Sequence, residues 1–396
     1  MNNFQIKIFQ KICEGNIGKN LMISPLSIYH ILSLTTNGAA NNTLTEMLKA
    51  LGNKNIDEMN KENKEILSIV KKFETVEIAN AIFKKCEILK SFLEKAKDYK
   101  ADIEELISEQ QVNNWCSNAT HGKIQEIIKG LDFSTKMILI NAIYFKGKWL
   151  NQFNEKLTTK DKFYNYEKEI KLVDFMEIQK QYKYFEDDSI QAISLEYQKD
   201  NLSAIIILPK KISNINKYIQ KFNYKNFNTI LKGLGKEEVI LKFPKFELKF
   251  ESSLKTIFQQ LGMNSAFDIK NADFSHLTKS KPFYIDEIIH KTYIKVDEEG
   301  TEACAVTMVD MIMGISFVKP KPKIMNVNHP FLFIIRFRNY ILFITKIEDL
   351  GEEKLNEISD KVKSKKISNK RRKKLSKSRS VNRGRSRSRS RSEENI

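Results

Sequence analysis

IDEIIHKTYIKVDEEGTEACAVTMV, residues Ile285 to Val309, is the stretch on which the reading of this chain turns. Its first half is strand-like and closes on Asp297, Glu298 and Glu299, after which Gly300 supplies a backbone free to take unusual dihedrals. Every second residue from there is Thr301, Ala303, Ala305 and Thr307, so one face of a potential strand holds only small, weakly polar side chains. Such a face can enter a crowded sheet interior where a leucine or a charge cannot. The stretch therefore reads as a hinge followed by an insertable segment. An ordinary exposed loop with a chance run of Ala and Thr has the same pattern, and the residues alone leave both open.

Working outward, Met137 to Phe145, MILINAIYF, is apolar on both faces and rich in Ile, as in a central strand covered on each side. Further strand patterns occupy Val76 to Phe83, Ile190 to Tyr197, Leu202 to Leu208, Val239 to Phe250, Ile285 to Val296, Phe331 to Phe337 and Ile341 to Ile347. Helical spacing dominates Phe4 to Leu51, with a new start at Ser24-Pro25 and breaks at Gly38 and Gly52. Val112 to Gly130, VNNWCSNATHGKIQEIIKG, reads as an amphipathic helix interrupted near His121-Gly122. Helices first and strands mostly later predict an α+β class with antiparallel sheets. No repeat of solenoid or propeller period is present.

Near residue 350 the apolar periodicity stops. Residues 351 to 396 hold 17 Lys/Arg against 6 Asp/Glu, so most of the chain's net charge of +18 lies there and residues 1 to 350 are only mildly basic. Such a segment has too little apolar surface to offset ordering entropy and is expected to be a disordered tail. It can bind polyanions by counterion release. The folded part has no reason of composition to bind nucleic acid. Cys13, Cys86, Cys116 and Cys304 are too scattered for a disulfide framework or a metal site. The N-terminus lacks the apolar core of a signal peptide, and no run reaches the roughly 18 apolar residues of a membrane span. A reducing compartment and no membrane are expected.

An enzyme search is almost empty. There is no HExxH, GxSxG or P-loop, and FKGKW and KGLGKEE lack phosphate-cradling spacing. The histidines at 30, 121, 276, 290 and 329 are well separated, and Cys116 near His121 has no orienting third group.

EEGTEA after HK and an apolar strand resembles the hinge signature of the serpin family. Other stretches in family order are NLMISPLSIYHIL, VNNWCSNATHGKIQEII, LINAIYFKGKWLNQF, KFPKFELKFESSLKTIFQQLGMNSAF, NHPFLFIIR and ILFITKIEDL. Together they span about residues 4 to 350. The resemblance implies a serpin domain over 1–350 with helices, three β-sheets, a five-stranded central sheet and an exposed reactive-centre loop at roughly 300 to 328. It implies protease inhibition by loop insertion, no enzymatic activity of its own, no cofactor, no metal, and a monomer. By position, Ser24, Ser27, Asn141 and His290 resemble the polar shutter that lets the central sheet part. Trp149 resembles the tryptophan at the sheet's top, and Glu298, Glu299, Gly300, Thr301, Glu302 and Ala303 match the hinge.

Three features depart from the family. Cys304 stands where Ala is usual, Thr345 and Leu350 stand where Gly and Pro are usual, and 30 positions separate Gly300 from Pro330, a long loop. Family spacing points to cleavage at Gly314-Ile315. Side-chain chemistry favours Met313-Gly314, because Met offers a protease pocket a flexible apolar chain and Gly offers nothing. The implied targets are chymotrypsin-like or elastase-like serine proteases, with cysteine proteases second. KRRKK at 370 to 374 resembles a nuclear import signal, and the Arg-Ser alternation from Arg385 to Ser392 looks like phosphorylated segments of RNA-processing proteins. An import receptor, an Arg-Ser kinase and nucleic acid are the tail's expected partners, and the location expected is cytoplasmic and nuclear. The alternatives are a non-inhibitory serpin, a nuclear nucleic-acid-binding protein working through the tail, or a merely solubilising tail.

Overall fold

Ser24 and Pro25 start a helix for the reasons their chemistry gives: the Ser24 hydroxyl accepts the N–H of Ser27 at 3.3 Å, and Pro25 fills the first turn. In the computed structural model, which describes residues 1–211, 215–301 and 321–351, this helix is the second of a helical first third. Met1–Leu350 is one compact unit; of the second, Gly351–Ile396, only Gly351 is described. In chain order come α1 (Asn2–Glu14), β1 (Leu21–Ile23), α2 (Pro25–Asn37), α3 (Asn41–Leu51) and α4 (Ile56–Val70). They are followed by β2 (Val76–Lys84), α5 (Lys90–Asp98), β3 (Asp102–Glu105), α6 (Glu109–Ala119), β4 (Met137–Phe145) and β5 (Gly147–Lys148). The strand-rich part continues with β6 (Thr159–Tyr164), β7 (Ile170–Glu186), β8 (Ile190–Glu196), β9 (Leu202–Pro209), α7 (Ile215–Lys221), α8 (Tyr224–Gly233) and β10 (Gly235–Pro244). Last come β11 (Phe246–Ser253), α9 (Lys255–Gln260), β12 (Glu287–Val296), β13 (Gly300–Thr301), β14 (Lys323–Asn326), β15 (Phe331–Phe337) and β16 (Tyr340–Ile347).

Among the described residues these strands form the expected α+β arrangement of three sheets. The five-stranded central sheet runs β11-β12-β4-β2-β3. A nine-stranded sheet runs β1-β16-β15-β9-β8-β7-β10-β14 with β6 on β7, and β13 with β5 makes a two-stranded ladder. β4 is buried at every residue, as its apolar sequence predicts. Its odd-numbered residues Met137 and Leu139, then Ile143 and Phe145, enter the interior cores, while Ile138, Ile140, Ala142 and Tyr144 face Val112 and Cys116 of α6. β4 and β12 are parallel neighbours, with Glu287 opposite Ile138 through Tyr293 opposite Tyr144.

Three expectations need correction, and three strands were not expected at all. The Val112 to Gly130 helix ends at Ala119; His121 and Gly122 take left-handed φ of 50° and 76°, and no helix resumes. Ile124, Ile127 and Ile128, spaced as in a helix, instead lie buried in an irregular strap, where the Asn113 Oδ1 accepts the N–H groups of Ile127 and Ile128 at 2.7 and 3.0 Å. The Val239 to Phe250 pattern is two strands in different sheets, because the chain turns at Pro244-Lys245 and the Lys245 N–H bonds Asp174 O at 2.9 Å. No expectation covers the 17-residue β7 or the strands β6 and β14, because Lys with Asp or Glu breaks the apolar alternation of β7 and β6, and β14, KIMN, is only four residues long. Both ends of the loop expected at 300 to 328 are strand: Gly300 and Thr301 are buried in β13, and Lys323–Asn326 pairs with β10.

Candidate functional site

The segment expected to be the hinge is folded back on itself. Asp297 accepts the N–H groups of Glu299 and Gly300 on its side-chain Oδ1 (3.2 and 3.3 Å) and donates its own N–H to Gly300 O (3.0 Å). This turn reverses the chain, so that Gly300 and Thr301 run antiparallel to Lys148 and Gly147 just beyond the end of β4. The approach is close enough to require glycine: a Cβ on Gly300 would lie 2.1 Å from Gly147 O. Trp149 holds the turn from below, its backbone N–H on Glu299 O (2.9 Å) and its Nε1 on Asp297 O (3.0 Å). Its indole stacks on Tyr197 at 4.5 Å, and the Tyr197 hydroxyl meets Thr301 Oγ1 at 3.0 Å. Thr301 is fully buried.

Glu298 is anchored by Lys245 Nζ (2.7 Å) and the Thr158 hydroxyl (2.6 Å). Burial alone would raise its carboxyl, but the hydrogen bonds from Lys245 and Thr158 outweigh that and hold it below the usual carboxylate range. Glu299, with burial and the Asp297 charge both acting against ionisation, is pushed up. Glu302, Ala303, Cys304, Met313 and Gly314 lie outside the described residues.

A second cluster sits about six residues down β4, roughly 20 Å away at strand rise. Asn141 is its centre. The Asn141 Nδ2 donates to Ser27 Oγ and Asn80 Oδ1, and its Oδ1 faces His290 Nδ1 at 2.6 Å. His290 Nε2 accepts the Ser24 N–H at 3.0 Å, which leaves the ring proton on Nδ1 for Asn141. Burial holds this imidazole neutral, its pKa lowered to about 3. Thr292 Oγ1 donates to Met22 O at 3.0 Å. One amide thus ties β2, β4, β12 and α2 together through bonds each worth about 0.5–1.5 kcal/mol net. Polar bonds of that size can be exchanged when strands separate, whereas an interlocked apolar core at this point would resist parting.

The structure therefore assembles Ser24, Ser27, Asn141 and His290 in one cluster, and Trp149 with Glu298, Glu299, Gly300 and Thr301 in another. Asn80, Thr292, Tyr197 and Lys245 were missed. Asn80 alone carried a signal, a lone amide inside the apolar run of β2. Along α2 the polar stripe of Ser24 and Ser27 continues to His30 and Ser33, whose side-chain polar atoms are buried without a hydrogen-bond partner among the described residues. The Cys116 thiol is buried and pushed up to about 12, while His121 is exposed and paired with Glu77, so they form no nucleophilic pair. Among the described residues no cluster of His, Cys, Asp and Glu could hold a metal ion, and no helix is long and apolar enough to cross a membrane.

The parallel middle pair of the central sheet, β4 and β12, thus has the folded-back turn at 297–301 beyond its end and a polar cluster crossing it. The Serpin (serine protease inhibitor) family profile matches residues 1–350. Serpin B8 of Homo sapiens is 33% identical over 360 residues, covering 86% of this chain and 96% of that protein. The leukocyte elastase inhibitor of Xenopus laevis is 33% identical over 365 residues, covering 84% and 93%. The thermophilic serpin tengpin, solved in its native state, superposes with a TM-score of 0.80 at 32% identity, covering 88% and 93%. This chain belongs to the serpin family, and so is a protease inhibitor and not itself an enzyme.

Proposed function

We propose that the chain traps a chymotrypsin-like or elastase-like serine protease that attacks Met313-Gly314, with a cysteine protease of apolar preference as the second target. The protease's serine hydroxyl adds to the Met313 carbonyl, the Met313-Gly314 bond breaks, and the new amine of Gly314 leaves with the C-terminal segment. The freed segment from Thr301 onward then enters between β4 and β12. Thirteen residues, Thr301 to Met313, at about 3.3 Å each carry the acyl carbon roughly 43 Å. The observation that carries this reading is the Gly300–Thr301 ladder on β5, which already sets the hinge at the mouth of the β4/β12 seam. The permissive Thr and Ala residues after it, and relatives that include a leukocyte elastase inhibitor, support it. The test is to mix the protein with a protease panel, look for a complex that survives denaturation, and sequence the released C-terminal fragment. A fragment starting at Gly314 supports the bond, one starting at Ile315 moves it by one residue, and one starting beyond Phe317 sinks both bond and specificity.

The same reading assigns residues 1–350 to the inhibitor as a monomer and 351–396 to a basic tail with a separate role. KRRKK at 370 to 374 would engage an import receptor, and the Arg-Ser run would serve an Arg-Ser kinase or nucleic acid, giving a cytoplasmic and nuclear protein. Removing 351–396 should shift a fluorescent fusion toward the cytoplasm with inhibition nearly unchanged. An unaltered distribution ends the import assignment.

A further inference from the structure

At the foot of β4, on the side that faces α6, lies a cleft of about 420 Å³. Its floor is the sheet itself. Ile138 of β4 and Glu287 of β12 stand directly opposite, as do Ile289 of β12 and Ser253 of β11, and alternation puts all four on one face. The strap after α6 supplies the other wall with Ile127, Ile128 and Leu131. Both walls are pinned. Asn113 holds the strap at Ile127 and Ile128, Glu109 Oε2 accepts the Gly130 N–H at 2.6 Å, and Asp286 Oδ2 accepts the N–H groups of Lys136 and Met137 at 2.6 and 2.9 Å. The cleft is therefore preformed, as small-molecule sites are, and its volume is of that class.

Its charge is one-sided. Asp132, Glu251, Asp286 and Glu287 line it against one ammonium, Lys129, which pairs with Glu126 at 2.9 Å. Glu251 is taken up by Lys291 at 2.8 Å, but Asp132, Asp286 and Glu287 make no ion pair among the described residues. On Glu287, Oε1 accepts the Ser253 hydroxyl at 2.7 Å and the Ile288 N–H at 2.8 Å, while Oε2 has no partner among the described residues. A free carboxylate oxygen thus borders an isoleucine-rich wall, on a folded part that is mildly basic as a whole. A metal ion does not suit this arrangement: among the described residues no group of carboxylates could hold one, and apolar walls offer it no ligands.

We infer that this cleft binds a small amphiphilic amine, one ammonium group on an apolar chain or ring. The ammonium pairs with Glu287, as a charge-assisted hydrogen bond that an unpartnered carboxylate oxygen is free to accept, and the apolar part lies against Ile127, Leu131, Ile138 and Ile289. Neither half suffices alone: a polar dication leaves the isoleucines uncovered, and a neutral apolar molecule leaves the carboxylate unpaired.

The test uses the full chain without any protease, so its failure leaves the trapping reading untouched. Calorimetric titration in roughly physiological salt compares phenylbutylamine with phenylbutanol, the same frame without the charge, and with putrescine, the charge without the apolar frame. Phenylbutylamine should bind about tenfold more tightly than either. Glu287→Gln keeps a side-chain oxygen for Ser253 and should weaken the amine about tenfold while leaving the alcohol unchanged. In the wild type, a water-soluble carbodiimide added to the complex should join the bound amine as an amide to Glu287 in preference to the other exposed carboxylates, as mapped by mass spectrometry. This map carries the test if the variant folds poorly. Equal affinity for amine and alcohol, putrescine binding as tightly as phenylbutylamine, equal amine affinity in wild type and a well-folded variant, or coupling spread evenly over exposed carboxylates overturns the inference.

Discussion

Adding a single methyl group to Gly300 should turn this inhibitor largely into a substrate. In Gly300→Ala the new Cβ would lie 2.1 Å from Gly147 O and 2.7 Å from Lys148 Cα, inside the 3.0 Å that a real Cβ keeps from its neighbours. Both obstructing atoms are backbone, so no rotamer change relieves them. β13 has to draw back by about an ångström, which breaks the pairing of Gly300 with Lys148 and Thr301 with Gly147 and parts Thr301 from Tyr197. Two or three hydrogen bonds at about 0.5–1.5 kcal/mol net amount to about 1–4 kcal/mol. If insertion grows from this ladder, the loss appears in its barrier, and at about 1.4 kcal/mol per tenfold the step slows about fivefold to several hundredfold. Deacylation is unaffected, so more of each encounter ends as cleaved, released protein. The assay is the stoichiometry of inhibition against chymotrypsin and pancreatic elastase, with the gel-stable complex and the cleaved product quantified together and thermal unfolding as a folding control. An unchanged stoichiometry with a well-folded variant would falsify the idea that the preformed hinge ladder nucleates insertion.

Thr301→Arg places a charge at a fully buried position against Tyr197, at a cost of several kcal/mol, and should abolish the gel-stable complex while cleavage continues; retention of the complex contradicts insertion at this residue. Tyr197→Phe removes only the hydroxyl that meets Thr301 and should raise the stoichiometry modestly, in line with about 1 kcal/mol, and less than Gly300→Ala does; a larger effect than the glycine variant's reverses the assigned order of importance. Stability should fall on acidification. Burial lowers His30 and His290 to about 3, below the unfolded value of about 6.5, so the unfolded chain takes up protons first. The stabilisation is complete above about pH 6.5 and is lost at about 1.4 kcal/mol per pH unit for each histidine as pH falls toward about 3. Urea unfolding at pH 7.5 and 5.5 should therefore differ by about 2–3 kcal/mol, and a flat profile contradicts the neutral, buried state of both rings.

Local pattern carried most of the architecture. β4, β15, α2 and α3 fall where apolar periodicity and capping put them, because in each case the residues that bury also define the period. What stayed hidden depends on distant partners. The strap after His121 carries isoleucines at helical spacing, yet its backbone is satisfied by Asn113, a residue whose role no local pattern reveals. The same holds for Tyr197 and Lys245, which meet the hinge only after the nine-stranded sheet has folded beside it. Ser24 shows the converse: the helix cap read from the sequence and the shutter role implied by family likeness are one residue in two bonds, its hydroxyl capping α2 and its N–H held by His290.

The seam between β4 and β12 explains why an inserted strand is favoured and in which register it must lie. Parallel pairing is slightly weaker per residue than antiparallel, and a strand running downward from β13 would replace one parallel ladder with two antiparallel ones. The pairing of Gly300 with Lys148 and Thr301 with Gly147 fixes the count. Continued residue by residue, an inserted strand would set Ala303 opposite Phe145, Ala305 opposite Ile143, Thr307 opposite Asn141, Val309 opposite Leu139 and Met311 opposite Met137. Directly opposed residues share a face, and these β4 partners point into the interior, so in that register the small residues Ala303, Ala305 and Thr307 would go inside first, with Val309 and Met311 deeper along the strand. Glu302, Cys304, Val306, Met308 and Asp310 would then fall on the other face, with Glu302 opposite the exposed Lys146. Because β4 begins at Met137, the ladder runs out at Met311. Met313, carrying the protease in the proposed trap, would then hang two residues below the foot of the sheet, as far from the hinge as this fold allows.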